Sequence, residues 1–212
     1  MLKKDYEYIM KQIDYAIKMS WYNDISSDYS NGHLLKEDSL KNALYFHIRK
    51  RLDNLFQMLN IRMYTEYNEG YLKVNKMRAD IAIVEIDKSS DNYYLGNRIE
   101  NVLAIIELKY HASPEYMYTD VEKIKKYKEI KELENCQYYL GFLNENVYTQ
   151  RQYWLDKRQT NNWARNCVTE LDACRYDNYR EGEMAFSIYS YNSYNSNLNT
   201  EKVEEMKYVK LI

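Results

Sequence analysis

Glu107 and Lys109 stand two residues apart in the run "AIIELKY", 104–110, among Ala104, Ile105, Ile106 and Leu108. On a strand this spacing points both side chains to one face. Charges within so apolar a run are costly without a partner or a purpose. A second carboxylate, Asp80, enters the preceding apolar run "ADIAIVEI" 27 positions earlier. Two such strands joined by a loop of about ten residues can pair as a hairpin and bring the three groups together. Adjacent carboxylates repel, so one tends to take a proton. A divalent cation reverses that cost and keeps both ionised. Carboxylate oxygens with water in the remaining positions suit Mg²⁺ or Mn²⁺. Such an ion polarises a phosphodiester and acidifies a bound water. A lysine at the same mouth can orient or deprotonate that water, or offset developing negative charge. The alternative reading is a cross-strand ion pair on a wetted sheet face, with Asp80 as a turn residue. It leaves the apolar character of the strand unexplained.

The elements that must position these residues follow from periodicity. Residues 3–22 read as an amphipathic helix and 36–59 as a second, with "NDISSDYSNGH", 23–33, as a loop between them. Strands are expected at 61–67, 77–87, 102–110 and 136–145, and a lysine-rich helix at 118–134. Residues 150–177 look mainly helical. "EMAFSIYSY", 183–191, reads as a strand, "SYNSYNSN" as a polar loop and "MKYVKLI" as a closing strand. The pattern predicts a mixed α/β (α+β) fold: a central mixed sheet flanked by helices, with extra N- and C-terminal helices and a C-terminal strand pair. At 212 residues, one domain is expected, with its core at about 36–145.

Asp80 followed by Glu107-Leu108-Lys109 on neighbouring apolar strands resembles the PD-(D/E)XK nuclease superfamily, the restriction endonuclease-like fold. Residues 36–145 follow that family's order of helix, three antiparallel strands, helix and strand, so the resemblance covers about half the chain. It implies Asp80 and Glu107 as metal ligands, the Leu108 carbonyl as a further ligand and Lys109 as the catalytic lysine. A glutamate on the first core helix often completes the site; Glu37 in "KEDSLKNALYFHIRKRL" is in that place, and Asp38 competes with it. Ala79 replaces the proline of the family name, which leaves the chemistry untouched. Glu85 and Asp87 fall on the opposite face of their strand. The E-x-K triplet recurs at Glu129/Lys131 and Glu205/Lys207, but without an aspartate-bearing apolar strand before it.

The resemblance implies a metal-dependent nuclease acting on nucleic acid, DNA before RNA, with Mg²⁺ or Mn²⁺ as cofactor. The second hypothesis is a non-enzymatic nucleic-acid-binding or protein-binding factor on the same fold, from a mobile element or a phage–host conflict. A net charge of −2 excludes a broadly polybasic binder and leaves room for a local groove. Lys123, Lys125, Lys126, Lys128 and Lys131 interleave with acids and read as a solvated helix face. His33, His47 and His111 make no ligand set. Cys136, Cys167 and Cys174 have no metal spacing and read as free thiols. With no apolar run of spanning length, a cytoplasmic protein without a membrane contact is expected, and a homodimer contact through the extra helices is a further expectation. The 25 tyrosines reflect composition first; a base-stacking role is kept only for those beside the site.

Overall fold

The computed structural model describes residues 3–149, 154, 163, 164, 166–177, 182–190 and 202–211. Seven strands form one sheet in sequence order: β1 (Ile61–Tyr67), β2 (Ala79–Ile86), β3 (Ile99–Tyr110), β4 (Gln137–Tyr148), β5 (Val168–Tyr176), β6 (Glu183–Ser190) and β7 (Lys202–Lys210). The first three strands pair antiparallel, β3–β4–β5 pair parallel, and β5–β6–β7 are antiparallel again. The mixed sheet flanked by helices is therefore as expected.

The faces of the sheet are covered differently. Helices α1 (Lys3–Met19), α2 (Ser26–Ser30) and α3 (Glu37–Arg51) cover one face, where Ile13, Ile17, Trp21, Leu40, Leu44 and Ile48 pack with Ile81, Ile83, Ile106 and Leu108. α4 (Asp53–Met58) follows α3 after a break at Leu52. α5 (Gly70–Val74) is a single turn between β1 and β2. Helix α6 (Pro114–Lys128) crosses the other face between the parallel strands β3 and β4. Its Met117, Val121, Ile124 and Tyr127 pack with Ala82, Val84, Ile105, Leu140 and Phe142. Alternation along β3 thus sends Leu108 toward α3 and Glu107 toward α6.

Three sequence expectations are corrected. Residues 23–30 are not a loop, though 31–33 are: the helix widens into a π-turn, Ser20–Ile25, and continues as α2 to Ser30. Buried Trp21, Ile25 and Tyr29 carry the apolar stripe through these polar residues. Ser26 Oγ satisfies the widened turn by donating to the carbonyl of Tyr22 at 2.6 Å. Helix α6 begins earlier, because Pro114 sits at its first turn, where a missing N–H costs nothing. Val168–Tyr176 is a strand, not a helix; the rest of 150–177 lies mostly outside the described residues, as does the tract 191–200. Fully buried Glu170 and Asp172 disguised β5 as a polar segment. Trp154 donates to both, through its backbone N–H to Glu170 (3.3 Å) and its indole N–H to Asp172 (2.9 Å).

Gly141 on β4 is paired with Leu108. A Cβ there would collide with Leu108 Cδ2 and lie 3.3 Å from Trp21 Cζ3. Gly141→Ala is therefore expected to destabilise the fold by about 1–3 kcal/mol through overpacking. Denaturant unfolding checks this; an unchanged midpoint would refute it.

Candidate metal centre

The β2–β3 register sets Ile81 opposite Ile106 and Ala82 opposite Ile105. One further step brings Asp80 beside Glu107, the hairpin arrangement expected from the sequence. Asp80 Oδ2 accepts the backbone N–H of Leu108 at 2.8 Å, which fixes the carboxylate against β3. Glu107 is fully buried. Its Oε2 lies 2.5 Å from Lys123 Nζ and its Oε1 2.7 Å from the Tyr127 hydroxyl. Tyr127 also reaches the Arg78 carbonyl at 3.0 Å. Glu107 and Lys109 therefore do not form the wetted ion pair of the alternative reading.

Lys109 pairs instead with Asp120 Oδ2 at 3.0 Å and Glu37 Oε2 at 3.6 Å, and donates to the Leu108 carbonyl at 3.1 Å. Burial disfavours its ammonium, but Asp120, Glu37 and Asp80 outweigh that and hold it above its usual value of 10.5. Lys109 is a cation here. Burial also raises Asp120 and Glu37, against the pull of Lys109. It pushes Glu107 up to about 8, opposed by Lys123 and aided by Asp80 and Asp120.

Asp80, Glu107 and Asp120 each bring one carboxylate oxygen within 4.8 Å of the others. Oxygen ligands of one Mg²⁺, each about 2.1 Å from the ion, lie roughly 3–4 Å apart. The cluster is of that order of size, and Lys123 already holds Oε2 of Glu107. With all groups ionised, four carboxylates (Glu37, Asp80, Glu107, Asp120) face two ammoniums (Lys109, Lys123), and two negative charges remain. A divalent cation matches that excess, and the all-oxygen donor set suits a hard ion.

The site is thus wider than its sequence signature. Glu37 comes to the Lys109 side at the first turn of α3, where the helix dipole favours an acid. Ser39 Oγ fastens that turn by accepting the N–H groups of Leu35 and Lys36, each at 2.9 Å. Asp38 turns away to Lys36 (3.4 Å) and Lys41 (3.7 Å), so of the two acids Glu37 is the one beside Lys109, while the carboxylate cluster itself is formed by Asp80, Glu107 and Asp120. Glu37→Gln should therefore change divalent-metal affinity at least a few-fold and Asp38→Asn should not. Titration calorimetry with Mn²⁺ decides; equal effects would contradict the placement.

Sequence reasoning missed Asp120 and Tyr127, and it placed Lys123 on a solvated face. That last reading is corrected: Lys123 turns inward to a buried carboxylate. A signal was present, since 120, 123 and 127 share one helix face with Met117 and Ile124. Glu85 hydrogen-bonds Asn101 (2.9 Å) and Asp87 accepts from the Ser89 backbone (2.8 Å), away from the cluster. Arg78 pairs with Glu66 at 2.9 Å. His47 bonds Asp28 at the core boundary and His111 is exposed at the end of β3. The three cysteines are free thiols. No described helix is long and apolar enough to cross a membrane.

Fold and site together define a mixed α/β protein with a largely buried carboxylate cluster that could hold a metal ion. No family model matches the chain, and no curated protein or solved structure compared with it does.

Proposed function

We propose that the protein is a metal-dependent phosphodiester hydrolase, a nuclease built on a restriction endonuclease-like core. The observation that carries this reading is the convergence of Asp80, Glu107 and Asp120 with Lys109 at one end of the sheet. Helix α3, strands β1–β3, helix α6 and strand β4 also follow the element order of that core. Asp80, Glu107 and Asp120, with the Leu108 carbonyl, would hold Mg²⁺ or Mn²⁺. Once bound, such an ion polarises a phosphate oxygen and acidifies a water.

The chain's own residues do the rest. Asp80 is oriented by the Leu108 N–H. Tyr127 and Lys123 keep the Glu107 carboxylate turned into the cluster. The Lys109 ammonium stands beside the same cluster as a fixed cation, able to hold a water and to offset negative charge on a reacting phosphate. Glu37 keeps that ammonium in place from the α3 side.

The test is cleavage of single- and double-stranded DNA and RNA with Mg²⁺ or Mn²⁺, against an EDTA control. Metal-dependent cutting, with DNA the first substrate expected, supports the proposal. Metal binding without cutting of any of the four would overturn it in favour of a non-catalytic binding factor on this fold.

A further inference from the structure

Beside the carboxylate cluster, at the edge of the sheet, lies a second feature with no part in the chemistry above. β1 is one of the two edge strands of the sheet. Within it, Glu66 takes a left-handed φ of 51° between residues that pair regularly with β2. Residues three apart on a regular strand face opposite ways. Here Tyr64 and Tyr67 lie on one side with their rings stacked, 6.3 Å apart at 19°. They form one wall of a cavity of about 320 Å³, with Tyr94, Leu95 and Gly96 forming another. That volume is at the lower end of small-molecule sites, roughly 300–1,000 Å³.

Three observations mark the cavity as built for a planar, hydrogen-bonding ligand. The Tyr67 ring lines the cavity, and its hydroxyl is buried with no partner among the described residues. Gly96 lets the Tyr94 ring seat against the backbone beside the cavity: a Cβ there would lie 2.7 Å from Tyr94 Cε1 and 2.9 Å from Glu69 Oε2. Tyr94 is half-exposed at the rim, with Lys73 Nζ 5.6 Å over its ring, and the preceding Tyr93 is fully exposed. Aromatic faces beside lysines are how proteins hold unstacked bases and the backbone that carries them.

Glu66 belongs to both places. It lines the cavity and binds Arg78 and Lys41, and Lys41 in turn feels the charge of Asp80. We propose that the edge pocket receives an unpaired nucleobase of a single-stranded nucleic acid whose backbone crosses the carboxylate cluster. This rests on the hydrolase reading and specifies its substrate as single-stranded. A paired base inside a duplex cannot enter such a pocket.

The experiment is fluorescence anisotropy with labelled 15-nucleotide mixed-sequence DNA and RNA, single-stranded and duplex, at low salt in EDTA so that no cutting intervenes. Wild type should bind the single strands more tightly than the duplexes; whichever of DNA or RNA binds tighter identifies the source of the base. Tyr94→Ala, at an exposed position, and Gly96→Val should each weaken single-strand binding about 10-fold and leave duplex binding unchanged. Single-strand binding equal to wild type in both variants, an equal loss on duplex, or no single-strand preference in wild type would overturn the pocket proposal. Mg²⁺ calorimetry on the same proteins separates the two readings. Absent Mg²⁺ heat in wild type removes the hydrolase reading itself, whereas normal heat with unaltered single-strand binding removes the pocket alone.

Discussion

Lys109→Met is expected to fold, to bind divalent metal and to cleave about 10²–10³-fold more slowly than wild type, the usual effect of deleting one preorganised charge at a reacting centre. The substitution keeps most of the apolar stem and removes only the ammonium. That ammonium is held charged by Asp120, Glu37 and Asp80. Because its pKa is raised, the stability it contributes is present below 10.5 and is lost only as pH climbs through the higher folded value. Over the neutral range its role is therefore that of a cation, and no break in the pH–rate profile should belong to it. Without it, buried Asp120 loses its 3.0 Å partner. The metal-free variant should accordingly melt lower, and Mn²⁺ should restore more of its Tm than it adds to wild type. Single-turnover cleavage with parallel thermal melts checks both. A variant that cuts at the wild-type rate removes Lys109 from the reaction.

Glu107→Gln has the larger expected effect on metal. It preserves shape and a partner for Tyr127, but takes the central charge from the cluster. Cleavage should fall about 10³-fold or more, the several kcal/mol that a bound ion contributes at such a centre, and Mg²⁺ heats should vanish. A second consequence concerns pH. Burial raises the Glu107 carboxyl from 4.5 to about 8. Below 4.5 it is protonated in both folded and unfolded chains. Between 4.5 and 8 the folded chain binds the extra proton, so metal-free stability falls as pH rises, and the fall is complete above 8. Glu107→Gln should flatten this fall in melts taken from pH 5 to 8 in EDTA. Part of the slope should remain, because Asp120 and Glu37 are shifted the same way. Parallel curves for wild type and variant would show that Glu107 does not carry the penalty.

The centre was legible where local pattern and chemistry coincide. Asp80, Glu107 and Lys109 were readable because strand alternation fixes their faces and one hairpin joins them; both are short-range rules. The four strands from 61 to 148 stood out for the same reason, with β-favouring apolar runs between polar turns. β5 did not, because Glu170 and Asp172 are acids that the fold buries and hydrogen-bonds to Trp154. A pattern that counts acids as exposed reads such a strand backwards. The helical passage from Ser20 to Ser30 failed for a related reason: its Ser, Asn and Asp residues favour turns, and burial of Trp21, Ile25 and Tyr29 overrode that preference.

By itself, then, the sequence determined the mixed α/β class, the antiparallel pairing of the two charged strands and the face that Asp80, Glu107 and Lys109 share. Only the tertiary structure decided who their partners are. The crossover helix α6 is laid over the sheet by the parallel pairing of β3 with β4, and this brings Asp120, Lys123 and Tyr127 onto the carboxylates. The placement of α3 selects Glu37 over Asp38. Alternation operates within a few residues of chain, whereas charge balance in a buried site depends on which distant helix packs against it, and packing is a property of the whole fold.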